Sequence, residues 1–163
     1  MENIISSEAF HKALSSLSLA KQRQVGAKFI AHVLDLTDGR CKEYAQKVAE
    51  KSDITPEAME SAYRAVHAVY VATHPHSDLS PMDFHKQAAH FVAEACVVCL
   101  APTYEGGAAH HLAEKVANYC RMARICSSVE HGGEYPKFAD AEESIKDEMD
   151  AQYGILSEFL KSA

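Results

Sequence analysis

After the triplet Thr55-Pro56-Glu57, the apolar residues Met59, Ala62, Val66 and Val69 recur at intervals of three and four. That spacing is the strongest constraint on the chain. It lays an apolar stripe along one face of a helix, whereas a half-buried strand needs alternation at two. The triplet itself is a helix start. Thr55 supplies a capping oxygen, Pro56 takes the first helical position where its missing N–H is harmless, and Glu57 suits the positive end of the helix dipole. Ser80-Pro81-Met82-Asp83 repeats the pattern with Ser80 as cap. Ser18 is a third capping residue, and Asp140 with Glu143 resembles a capping box.

These signals predict helices over 7–16, 18–36, 40–51, 56–73, 81–101, 108–128 and 140–161. Gly106-Gly107 separates two of them, and His131-Gly132-Gly133 with Pro136 marks the longest loop. No repeat or linker divides the 163 residues, so 1–163 is expected to be one all-α domain, a compact antiparallel bundle of about seven helices. A chain of this length buries enough surface to fold without a metal or disulfide staple.

The expected core stripes are Val25, Phe29, Val33 and Leu36 on helix 18–36, and Phe84, Ala88, Phe91, Ala95 and Val98 on helix 81–101. Leu112, Val116, Tyr119, Ala123 and Cys126 follow on 108–128, then Ile145, Met149, Leu156 and Leu160 on the last helix. Helices 81–101 and 108–128 are rich in Ala and Cys, so their axes can approach closely at the centre of the bundle.

Charge excludes some functions. A net charge of −7 argues against a nucleic-acid surface, which needs clustered Lys and Arg. The longest apolar run, Ala95 to Ala101, is far short of the roughly 20 residues of a membrane span. The opening MENIISSEAF lacks the basic residues of a signal peptide. Five cysteines, an odd number, then read as reduced, buried thiols of a cytoplasmic protein. From Glu134 onward eight acids face three bases, while residues 21–51 hold seven bases and four acids; both are expected to be solvated surface.

Ten histidines raise the question of metal chemistry. His90 with Glu94, and His111 with Glu114, each place an imidazole and a carboxylate on one helical face. Ferritin-like sites need Glu-x-x-His twice plus two further Glu, and neither the order nor the second copy is present. No metal site and no cofactor is therefore expected. Cys96-x-x-Cys99 falls in the last turns of its helix, where the dipole opposes a thiolate, so it is expected to be packing. Tyr63, His67, Tyr70 and His74 form the polar-aromatic margin of a helix, and His74-Pro75-His76-Ser77-Asp78 is a loop. His32, between Phe29 and Leu36, is expected to be buried, neutral and bonded to a backbone carbonyl.

The stretches Glu148-Met149-Asp150-Ala151-Gln152-Tyr153, Ala95-Cys96-Val97-Val98 and Leu14-Ser15-Ser16-Leu17 together resemble the YjaG-like family of small all-helical bacterial proteins of unassigned function. The chain departs from that pattern in being shorter and in having no Trp. The first hundred residues are also similar to the helical N-terminal domain of COMM-domain adaptors. The acid-x-acid-x-Gln-aromatic stretch carries most of the first likeness, which makes Glu148, Asp150 and Gln152 the candidate binding residues. On helical geometry, Met149 and Tyr153 point inward and Gln152 stands at the edge of the stripe. Its amide must then find a partner, with Glu148 nearer the rim. The expected function is a non-enzymatic interaction or regulatory module that works through an exposed bundle face, pairs as a homodimer, and engages a protein rather than nucleic acid or membrane. The alternative is a metal binder or metal-dependent enzyme using His90, Glu94, His111 and Glu114.

Overall fold

The computed structural model describes residues 3–37, 41–44, 47, 55–74, 83–101, 111–129, 137 and 140–163. Within them the chain is an all-α bundle. Its α-helices are α1 (Ser7–Ser15), α2 (Leu19–His32), α3 (Pro56–Thr73), α4 (Phe84–Leu100), α5 (Leu112–Ser127) and α6 (Ala141–Ser162), with a 3₁₀ turn at Leu34–Leu36. Residues 41–44 are helical too, where a helix over 40–51 was expected; most of that stretch, the loops around Gly106 and His131, and His76 lie outside the described residues.

The start signals act largely as their chemistry requires. The Ser18 and Thr55 hydroxyls accept from the N–H groups of Lys21 and Ala58, and Pro56 takes the first position of α3. Two expectations are corrected. The cap of α4 is Asp83, its carboxylate accepting from His85 and Lys86 N–H at 3.0 and 3.2 Å, while the expected cap Ser80 lies outside the described residues. Asp140 stands at the N-cap of α6 but makes no side-chain capping bond.

Helices α4 and α5 form the centre, and α2, α3 and α6 pack around them. On α4 the buried set is Ala88, His90, Val92, Ala93, Ala95, Cys96, Cys99 and Leu100, while Phe84, Phe91 and Val98 of the expected stripe are only half-buried. A helix covered from several sides has no single apolar face, and a single-stripe reading misplaces it. Gly26 lets α2 come close, since a Cβ there would stand 3.4 Å from Cys99 Sγ and 3.5 Å from Val116. One core cluster joins these helices with Phe10, Leu14, Phe29, Leu112, Leu156 and Phe159.

Two polar residues of α2 are also inside. Gln22 accepts at 3.2 Å from Ala113 N–H, one of the donors that the first turn of α5 leaves unpaired. Arg23 donates to the carbonyls of Cys99 and Ala101, which the last turn of α4 leaves unpaired. Consecutive side chains of α2 thus satisfy the end of α4 and the start of α5. Arg23 is buried, against the expectation of solvated charge over 21–51.

Candidate functional site

The sequence names Glu148, Asp150 and Gln152 together, and the fold separates them. Glu148 and Gln152, one turn apart on α6, are both buried, while Asp150 is exposed. The buried stripe of α6 runs Glu148, Gln152, Leu156 and Phe159 with Tyr153 beside it. Ile145, Met149 and Leu160 of the expected stripe are half-buried at its flank. Glu148 is only 2% exposed, so it is not a rim residue.

Cations from α5 make that burial tolerable, because a buried carboxylate must be paired and hydrogen-bonded. Arg124 Nε donates to Glu148 Oε2 at 3.2 Å, and His32 Nδ1 lies 3.0 Å from the same oxygen. An ionised carboxylate only accepts, so this ring nitrogen carries the proton. The Gln152 amide adds a third donor at 3.4 Å and also donates to Ala117 O at 3.1 Å. Its oxygen accepts from Arg121 Nε at 2.7 Å. Arg121 in turn lies over the Phe10 ring.

The remaining donors of Arg124 explain a break in the chain. Helix 18–36 was expected to be continuous, yet α2 stops at His32 and a 3₁₀ turn follows. There Leu36 N–H bonds Val33 O at 3.0 Å, which leaves His32 O without its helical partner. Arg124 donates to that carbonyl at 2.7 Å and to both oxygens of Asp35 at 2.9 and 3.0 Å. Its hydrogen bond holds the Asp35 carboxyl below the ordinary carboxylate range. His32 itself is not a core residue: its side chain is 41% exposed and meets a carboxylate, not a backbone carbonyl.

The other histidines sort differently from the sequence reading. His90 is buried, with Nδ1 3.2 Å from Thr73 Oγ1 and its ring stacked on Tyr70 at 5.0 Å. Burial lowers its pKa, Glu94 at 3.8 Å opposes that shift, and His74 reinforces it. Tyr63, His67, Tyr70 and His74 make successive ring contacts along α3, the margin expected of them. Neither His90 nor Glu94 meets His111 and Glu114 in a shared cluster. Among the described residues the group that could hold a metal is His11, His111 and Glu114.

None of the five cysteines is in a disulfide; Cys41, Cys96, Cys99 and Cys120 are buried and Cys126 half-buried. A hydrogen bond with Cys41, then burial, pushes the Cys96 thiol up, and burial pushes Cys99 up to about 12. Neither is an activated thiol.

The exposed side of α6 differs from this interior. It borders an open groove of about 500 Å³ lined by Ile5, Asp150, Tyr153, Gly154, Glu158 and Lys161 among others. Ile4 N–H donates to Ser157 Oγ at 3.0 Å and ties the segment before α1 to this helix, while Ile5 is 83% exposed. Among the described residues nothing lies within 4 Å of where a Gly154 Cβ would be. No helix among them is long and apolar enough to cross a membrane.

No family model, no curated protein and no solved structure matches this chain.

Proposed function

We propose that the chain is a non-enzymatic interaction module that docks a partner protein on the outer face of α6. The observation that carries this reading is Gly154. Glycine in an exposed helix interior costs about 1 kcal/mol relative to alanine. Among the described residues no internal packing uses the missing side chain. A backbone left bare beside exposed Ile5 suits close approach by another chain. The exposed acids Glu142, Glu143, Asp147, Asp150 and Glu158 outnumber Lys146 and Lys161 on this helix, so the partner is an apolar side chain flanked by basic residues. Glu148 supports a non-catalytic role, because His32, Arg124 and Gln152 already occupy its carboxylate.

A homodimer through this face would bring two sets of acids together, which disfavours it. The likeness to the YjaG-like family, and a cytoplasmic location suggested by five cysteines outside any disulfide, are parts of the same proposal.

The test is Gly154→Gln, which fills the bare position with a good helix former and adds no charge. Binding of a helical peptide with leucines flanked by lysines, followed by fluorescence anisotropy, should weaken at least about tenfold while stability to denaturant rises. Equal binding by both proteins would remove the docking face. Sedimentation of the unmodified chain should show a single 17.9 kDa species. A dimer that Gly154→Gln dissolves would instead reassign the face to self-association.

A further inference from the structure

From the geometry of His11, His111 and Glu114 we infer a binding site for a divalent transition metal, zinc above all, between α1 and the start of α5. It is independent of the docking reading. His11 lies 100 and 103 positions before His111 and Glu114 in sequence, yet His11 Nδ1 is 2.9 Å and His111 Nδ1 3.4 Å from the same oxygen, Glu114 Oε2. All three ligand atoms lie within 4.8 Å of one another. Zinc bonds imidazole nitrogen and carboxylate oxygen at about 2.0–2.2 Å in tetrahedral geometry, which sets neighbouring ligand atoms roughly 3.3 Å apart. The triad already approximates that spacing, so an ion enters with small side-chain movements.

The backbone positions are held from below. Phe10, next to His11, is buried against Phe29 and Tyr153, and Leu112, next to His111, is fully buried. The two imidazole rings stack at 5.7 Å and 27°. Glu114 stands in the first turn of α5, where the helix dipole favours the ionised carboxylate. The three side chains are 51, 40 and 33% exposed for His11, His111 and Glu114, so an ion reaches them from solvent and water completes the coordination.

Without metal, a nitrogen facing the carboxylate carries its proton. Coordination needs that nitrogen's lone pair, so the proton moves to the other ring nitrogen or to solvent. Two histidines and one carboxylate select zinc, cobalt or nickel over calcium or magnesium, which prefer all-oxygen sites.

The experiment is calorimetric titration of the full chain with zinc chloride in a non-chelating buffer, beside the His11→Ala and Glu114→Gln variants. One equivalent should bind in the micromolar range, and each variant should lose at least about tenfold in affinity. Cobalt should give the intense visible absorption of a tetrahedral site in the unmodified chain and lose it in His11→Ala. Affinity should fall on acidification, because protons compete with the ion for the ligand atoms. His11 is exposed, so circular dichroism of His11→Ala should be unchanged. No uptake at millimolar zinc, or equal affinity in the parent and His11→Ala, would overturn the site; the second result would point to other histidines.

Discussion

At the scale of the residue, burial and partners decide what a polar side chain contributes. Gln152 accepts from Arg121, so Gln152→Ala strands a partly buried guanidinium N–H and should cost on the order of 1–3 kcal/mol. Helical position alone ranks Glu148 below Gln152, as the residue nearer the rim. The structure reverses that order, because Glu148 collects three donors inside the protein. Removing one member of a fully buried ion pair costs about 3–5 kcal/mol. His32 and Arg124 are 41 and 24% exposed and can recover water, so Glu148→Ala is expected to cost roughly 2–3 kcal/mol. Asp150→Ala, on the exposed side, should stay within about 0.5 kcal/mol. Denaturant unfolding at constant m-value checks all three, and a Glu148→Ala variant as stable as Asp150→Ala would refute the lock.

At the scale of the element, two helical glycines separate packing from exposure. A Cβ at Gly26 meets Cys99 and Val116 at 3.4 and 3.5 Å, so the propensity gain of Gly26→Ala, about 1 kcal/mol, is offset by crowding between α2 and its neighbours. Little net change is expected there. Gly154→Ala meets nothing among the described residues and should stabilise α6 by nearly the full 1 kcal/mol or so. Comparing the two midpoints in urea settles it, and a destabilised Gly154→Ala would show that the position has an internal role. Elements were also where the sequence was most legible. Caps at Ser18 and Thr55 and the three-and-four spacing place helices within a few residues of their observed ends. The break after His32 was not legible, because its cause is Arg124, some ninety residues away.

At the scale of the whole molecule, buried titratable groups bound the pH range of stability. Thiols raised in the fold bind protons that the unfolded chain has released, so stability falls as pH rises from the ordinary value of 9.0 toward about 12 for Cys99. On the acid side, His90 is depressed below 6.5 by burial, so stability falls as pH drops below that value, where only the unfolded chain protonates. Unfolding midpoints should be flattest between these limits. Cys99→Ala should make the alkaline arm shallower, and an unchanged arm would count against the thiols as its cause. A thiol reagent should modify half-buried Cys126 first and the four buried cysteines only on unfolding.

The all-α class, most helix bounds and the central place of α4 and α5 were determined by sequence alone, because capping and periodicity are local properties of the chain. The inward sides of α2, α3 and α5 were legible too, since Val25, Phe29, Val66, Leu112 and Val116 are buried where the spacing puts them. The inward sides of α4 and α6 were instead decided by tertiary structure. Ile145, Met149 and Leu160 form an apolar stripe on α6, but Arg121 and Arg124 of α5 draw Glu148 and Gln152 inside instead. A pattern of apolar residues cannot register that outcome, since the energy comes from charges on another helix. For the same reason His111 and Glu114 looked incomplete as ligands: their third member, His11, reaches them only through the packing of α1 on α5.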